Sequence, residues 1–160
     1  MTDKWPNTDI FGSNDPAEAL KTLMAFWRKH GYGDPRIVEE LTGYWLNAKQ
    51  EAHRRLVMEE MKALSPHLQR TNGELTPRIQ QMFQAAIDSD DVHDALINGI
   101  VGLRKEGLDK GGIQFELDLF RAARRDVLNE DQETYILDMM DGLVEYGNDR
   151  NLFDYDGSSG

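Results

Sequence analysis

The sequence predicts an all-α fold, a single-domain bundle of about six helices with extended N- and C-terminal arms. Three observations predict it: apolar residues recur at the spacing of helix faces, prolines stand just after capping residues, and glycines end the apolar runs. With 160 residues the chain is long enough for one domain with a substantial core. It contains no cysteine, which excludes disulfides, thiolate metal sites and a cysteine nucleophile.

The first two predicted helices each begin at an Asp-Pro pair, which matches an N-cap followed by proline at the first helical position. The first helix spans about 16 to 30, from Asp15-Pro16 to the glycine at 31. The second is the one long helix of the bundle, about 35 to 64, and Ser65-Pro66 breaks it. Gly43 and a highly charged later half predict a bend or a solvent-crossing stretch within it.

Four further helices complete the predicted bundle: about 77 to 87, from 90 or 91 to 107, about 113 to 128, and 129 to about 146. The segments before the third and fifth helices, 67 to 75 and 108 to 112, are predicted as loop and turn. From Ile113 to Leu119 the apolar residues alternate as in a strand, but helical spacing continues to Leu128 and favours a helix. This divides the chain into an arm at 1–14, a helical domain at 15–147 and an acidic-aromatic tail at 148–160.

Negative charge is concentrated near the C-terminus. The net charge is −11, and residues 126 to 160 hold ten acids and one base. At 100° per residue, five acids on the sixth predicted helix fall within an arc of about 80°. The opposite side of that helix is apolar, with Ile136, Met139, Met140 and Leu143. The five acids are called the acidic ridge: Asp131, Asp138, Asp141, Glu145 and Asp149.

The acidic ridge predicts a non-enzymatic binding protein that docks on a basic surface of a protein partner. A row of carboxylates can stand in for a line of phosphates, so an inhibitor of nucleic-acid-binding machinery, acting as a nucleic-acid mimic, fits this pattern. Phe153 and Tyr155 in the tail are predicted as apolar anchors of the same interface. The competing interpretation is a solvated face that keeps an acidic protein in solution.

Composition argues against several other partners. A pI near 4.7 disfavours direct binding to nucleic acid, which requires lysines and arginines against phosphates. No apolar run approaches the length of a membrane span, and the first residues do not resemble a signal peptide, so we expect a cytoplasmic protein that does not bind membranes. No nucleophile motif, zinc-binding pair or phosphate loop is present, so no catalytic residue, metal ligand or cofactor is predicted.

A structural or adaptor subunit of a larger assembly, such as a viral one, is the first alternative. Trp5, Ile10 and Phe11 in the N-terminal arm either pack on their own bundle, which we favour, or reach a neighbouring subunit. Self-association is also open, because a basic cluster at Arg121, Arg124 and Arg125 directly precedes the acidic block. Pairing of these bases with nearby acids in the same chain is the simpler expectation.

A magnesium-dependent enzyme is the second alternative. The spacings Glu130-x-x-Glu133 and Asp138-x-x-Asp141 are similar to motifs of the all-α nucleotide pyrophosphohydrolases, which hold Mg²⁺ with E-x-x-E and E-x-x-D pairs. In that family the pairs face each other from two helices, whereas here both lie on one predicted helix and the second begins with aspartate. The resemblance implies a Mg²⁺ site only if acids of the second helix, such as Glu39-Glu40, face the ridge.

Overall fold

The structure is a computed structural model that describes residue 6 and residues 8 to 144. This part of the chain is all helical, which confirms the predicted fold class, but it contains eight α-helices rather than six, together with one short 3-10 helix. The elements are the 3-10 helix Ile10–Gly12, α1 Pro16–Lys29, α2 Asp34–Asn47, α3 Glu51–Leu64, α4 Pro66–Thr71, α5 Pro77–Ile87, α6 Val92–Lys105, α7 Lys110–Ala123 and α8 Glu130–Val144. None of these helices is long and apolar enough to cross a membrane.

The predicted long helix from 35 to 64 is wrong. The chain leaves the helix at Ala48 and Gln50, which have extended backbone angles, so that α2 and α3 are separate helices. Ala48 is buried at this corner, and its carbonyl accepts a hydrogen bond from Nε of Arg54. A straight helix of thirty residues would be about 45 Å long and would carry its second apolar face away from the core. Folding back instead buries Val57, Met58 and Met61 with the apolar side of α2.

The N-cap of α2 is Gly33 rather than Asp34, which is the first residue of the helix, and α7 ends at Ala123 rather than near residue 128. Two further differences lie at helix starts. Ser65-Pro66 does break a helix, as predicted, but it also begins another, α4, because the Ser65 hydroxyl accepts the backbone N–H of Leu68. The predicted turn at 108–112 contains the first residues of α7, where Asp109 accepts the N–H of Gly112 at 2.8 Å. In both places the sequence contains the capping side chain, at a predicted helix break for Ser65 and within a predicted turn for Asp109.

Helix α7 lies at the centre of the molecule and belongs to both apolar clusters of the core. Phe115 packs in the cluster formed by the N-terminal half, with α1, α2, α3 and α4. Ile113, Leu117 and Phe120 pack in the second cluster, with α5, α6 and α8. Residues 110 to 118 are all buried, including the acids Glu116 and Asp118. Acidic side chains therefore lie inside the bundle as well as on its surface.

The described part of the N-terminal arm packs against its own bundle. Ile10 is 0% exposed and belongs to the first cluster. Phe11 stacks on His53 with ring centroids 4.4 Å apart, and the hydroxyl of Tyr44 donates a hydrogen bond to the carbonyl of Thr8. Trp5 and the tail at 148–160 lie outside the described residues.

Candidate docking surface

Helix α8 begins with the capping arrangement that its sequence predicts. The backbone N–H of Gln132 donates to Oδ1 of Asn129, and the N–H of Asn129 donates to Oε1 of Gln132. The first turn carries Glu130, Asp131 and Glu133, which interact favourably with the positive end of the helix dipole. The start and rotation of α8 are therefore set by local chemistry as well as by packing.

The two faces of α8 divide as the sequence predicts within the described residues. Ile136, Met139, Met140 and Leu143 are buried in the second core cluster. The first three acids of the acidic ridge, Asp131, Asp138 and Asp141, are all exposed. At 1.5 Å per residue, Asp131 and Asp138 are about 10 Å apart along the axis, and Asp138 and Asp141 about 4.5 Å. Glu145, Asp149, Phe153 and Tyr155 lie outside the described residues.

An apolar residue interrupts the exposed face of α8. Leu137 is 40% exposed and directly precedes Asp138 in the middle of the described ridge. It is one of few large apolar side chains exposed among the described residues. An exposed leucine beside carboxylates gives this face both charge and a small apolar contact; in protein interfaces the apolar contacts lie at the centre and the charges mainly in the rim.

Arg121 of α7 flanks the ridge. Its guanidinium lies 3.5 Å from Oδ1 of Asp118 and 3.5 Å from Oε2 of Glu133 on α8. Arg124, one turn further, donates a hydrogen bond to Oε1 of Gln84 and lies over the ring of Phe120. Two of the three arginines in this basic cluster thus have partners in their own chain.

Acids of α7 and α8 act on a carboxyl group of α2 beside the ridge. Glu39 of α2 lies close enough to Asp118 of α7 and Asp141 of α8 for both charges to affect its ionisation. Burial is the largest cause and raises the pKa of Glu39 to about 7; Arg36 opposes this, while the neighbouring acids add to it. We call Glu39, Asp118 and Asp141 the acidic corner.

Sequence reasoning found part of the acidic corner. The sequence leaves open whether Glu39 faces the ridge; in the structure the charge of Asp141 acts on Glu39, as the smallest of the causes that raise its pKa. Sequence reasoning missed Asp118, because it lies among the apolar residues 113 to 119 at the start of the fifth predicted helix. A signal was available: at helical spacing Gln114, Asp118 and Arg121 form a polar stripe along α7. Burial raises the pKa of Asp118, while Arg121 and Arg125 act against that shift.

Metal binding requires carboxylates that converge on one point. Among residues 8 to 144, no three His, Asp or Glu side chains are placed to hold a metal ion. Glu130-x-x-Glu133 and Asp138-x-x-Asp141 are spread over about 16 Å along one convex helix, so they do not converge on one point, and Glu39 adds charge without completing a ligand set.

The described surface can attract a cation through several carboxylates that lie on neighbouring helices. The field of such a surface speeds association with a basic partner and weakens as salt is added. The described surface can therefore recognise a partner by its charge, with Leu137 as an apolar contact. Compared with protein-family models, with curated proteins and with solved structures, the chain gives no match.

Proposed function

We propose that the protein is a non-enzymatic binding protein whose acidic ridge docks on a basic surface of a protein partner, of the kind that otherwise binds nucleic acid. The observation that carries the proposal is the division of α8. Asp131, Asp138 and Asp141 are exposed on one side, while the opposite side is buried in the core. The helix presents its charges outward on a rigid support, as an interface that recognises charge requires.

The acidic corner supports the same conclusion. Like charges repel, so the approach of Glu39 to Asp118 and Asp141 costs free energy that a uniformly dispersed surface would avoid. A partner's cationic groups would relieve that repulsion. Glu39, which has a pKa of about 7, would then ionise and strengthen the contact. A cationic group of a partner beside Glu39 would therefore favour the ionised form of that side chain.

The choice of a nucleic-acid-binding protein as partner comes from the linear arrangement of charge. Carboxylates repeated along one helix resemble a row of phosphates in charge and direction, although they carry no bases. A groove that grips the phosphate backbone through lysines and arginines would accept such a row. Binding would then compete with nucleic acid and would fall steeply with salt.

The experiment compares three forms of the protein as bait in an extract of the native host, at low and at moderate salt. One form is unchanged. The second carries Asp131→Lys, Asp138→Lys and Asp141→Lys. The third is matched in charge and carries three reversals elsewhere on the exposed surface: Glu51→Lys, Glu74→Lys and Asp90→Lys. Captured proteins are identified, purified and titrated against each form.

We expect the unchanged and matched forms to capture a basic protein that duplex DNA displaces, and the ridge variant to bind it at least about a hundredfold more weakly. Equal loss in both variants would mean that only net charge matters and would contradict a ridge-specific interface. Capture of the chain itself or of shell proteins, unaffected by the ridge reversals, would support the assembly alternative instead.

A further inference from the structure

A second surface feature lies at the opposite end of α2 from the helix start, where the N-terminal segment crosses it. It is an open cleft of about 500 Å³, within the range of small-molecule sites. Six residues line it: Asp9, Phe11, Glu40, Gly43, Tyr44 and Asn47. The acidic ridge contributes none of them, so this cleft is a different candidate site from the proposed docking surface.

The lining combines two carboxylates with two aromatic rings and contains no lysine or arginine, but Nε of Arg36, outside the lining, binds Oε2 of Glu40 at 3.2 Å. Burial, together with the charges of Glu40 and Asp9, raises the pKa of Tyr44, so both carboxylates act on the same ring. The rings of Phe11 and Tyr44 meet edge to face with centroids 6.1 Å apart. His53 stacks on Phe11 and holds that ring in place.

The aromatic side of the cleft is fixed by two further contacts. The hydroxyl of Tyr44 donates a 2.7 Å hydrogen bond to the carbonyl of Thr8, which ties the N-terminal segment to α2. The side-chain amide of Asn47 donates to the carbonyl of Gly43 at 2.9 Å. These bonds hold the lining residues in position before any ligand arrives, which reduces the entropy cost of binding.

Gly43 keeps the cleft open. Glycine within a helix costs about 1 kcal/mol relative to alanine, so it is favoured there only where a side chain would interfere. A Cβ atom at Gly43 would meet nothing within 4 Å, and close packing therefore does not require the glycine. Gly43 is part of the cleft lining, and because it has no side chain it leaves space for a ligand in the cleft.

From this combination we infer that the cleft binds an organic cation, an ammonium group that is held by the carboxylates of Asp9 and Glu40 and by the face of an aromatic ring. Carboxylates supply charge, and aromatic rings attract cations through their electron-rich faces. The lining has no base to bind an anion, and its aromatic half gives no oxygen ligands for a hard metal ion. The ammonium group can belong to a free amine or to a lysine side chain of a peptide.

The test uses three probes with isotopically labelled full-length protein, followed by amide NMR shifts. Choline represents a free quaternary amine, and 3,3-dimethylbutan-1-ol is its uncharged isostere. An acetylated and amidated Gly-Lys-Gly peptide presents a lysine side chain. We expect choline or the peptide to shift the amides of Gly43, Tyr44 and Asn47 saturably, with a dissociation constant of about 1–10 mM. The tighter of the two identifies the source, and the isostere should bind at least about tenfold more weakly.

Variants localise the binding. Glu40→Gln and Asp9→Asn should each weaken choline or peptide binding at least about threefold, and Gly43→Met should abolish it by filling the cleft. Glu74→Gln, an exposed acid outside the lining, should change nothing. Equal binding of choline and its isostere, or no saturable shift up to about 50 mM of any probe, would overturn the inference. If Gly43→Met does not fold, unchanged affinity in Glu40→Gln and Asp9→Asn would overturn it equally.

Discussion

The imidazole of His67 in α4 and the carboxylate of Glu116 in α7 form a buried contact, with 2.9 Å between Nε2 and Oε2. Glu116 also accepts hydrogen bonds from the backbone N–H of Thr76 and from Nε2 of Gln80. Burial disfavours the charged carboxylate, but these hydrogen bonds together outweigh it and lower the pKa of Glu116. Because an ionised carboxylate only accepts, Nε2 of His67 carries the proton. One side chain thus joins α4, α7 and the start of α5.

We expect the Glu116 network to lose its stabilising effect in acid. The folded pKa lies below the unfolded value of about 4.5, so the contribution is complete above that pH and is lost as the pH falls through the folded value. Glu116→Gln should lower the free energy of unfolding at neutral pH by about 2–4 kcal/mol. The amide N–H₂ of the new side chain would face the donors of His67, Thr76 and Gln80 and could not accept their hydrogen bonds. The substitution should also flatten the pH dependence in the acid range. Urea unfolding at neutral and at acid pH measures both effects.

Glu106→Gln is the control for that change. Glu106 binds Arg78 at 2.6 Å, but both side chains are about half exposed. Its loss should therefore cost less than about 1 kcal/mol. Similar losses in the two variants would show that the Glu116 network adds nothing beyond a surface ion pair.

Glu39 should give the opposite pH dependence. Its folded pKa of about 7 lies above the usual value of 4.5 for a glutamate, so the folded state keeps a proton that the unfolded chain releases. The free energy of unfolding should therefore fall as the pH rises from 4.5 to about 7 and then stay level. The fall should be about 1–2 kcal/mol, since the side chain is partly exposed and solvent screens it.

Glu39→Gln should remove that fall. The variant should match the unchanged protein near pH 4.5 and be more stable above pH 7, since a neutral amide has no proton to release. Glu40→Gln, which changes the neighbouring acid that binds Arg36, is the matched control. A decline of equal size in all three proteins between these pH values would show that Glu39 is not responsible.

Local sequence chemistry predicted the helix starts well. Asp15-Pro16 and the Asn129–Gln132 pair form the expected caps. The break at Ala48 was not predictable in the same way, because neither glycine nor proline marks it. It results from the packing of α3 back against α2, a tertiary effect that overrides helix propensity.

The candidate docking surface was predictable to the extent that it depends on one helix. Periodicity alone placed Asp131, Asp138 and Asp141 outward. The acidic corner depends on three helices that are distant in sequence, so periodicity could mark Asp118 as polar but could not bring it to Glu39. The cleft of Asp9 and Tyr44 was missed for the same reason, because its lining residues come from two distant segments.

Gly112→Ala should destabilise the fold. Gly112 is buried in the first turn of α7, and a Cβ atom there would clash first with Cβ of His67 and would lie 2.8 Å from Cγ and Cδ2 of its ring. The ring must move, which strains its contact with Glu116, so we expect a loss of about 2–3 kcal/mol in the free energy of unfolding. Gly102→Ala in α6 is the control, since nothing lies within 4 Å of that site. Alanine there should be neutral or stabilising by up to about 1 kcal/mol. Urea unfolding compares the two, and equal effects would contradict the packing argument.

Ile10→Ala should show that the segment before α1 is part of the cooperative fold. Ile10 is 0% exposed and packs in the first cluster with Leu20 and Trp27. Truncation leaves a cavity and removes buried apolar area, so the free energy of unfolding should fall by about 2–4 kcal/mol. Leu75→Ala, at an exposed site, should change it by less than about 0.5 kcal/mol. Thermal unfolding followed by circular dichroism is a sufficient measurement. If Ile10→Ala and Leu75→Ala unfold at the same temperature, the segment before α1 opens before the bundle unfolds. It would then be unable to hold the ring of Phe11 in the proposed cation-binding cleft.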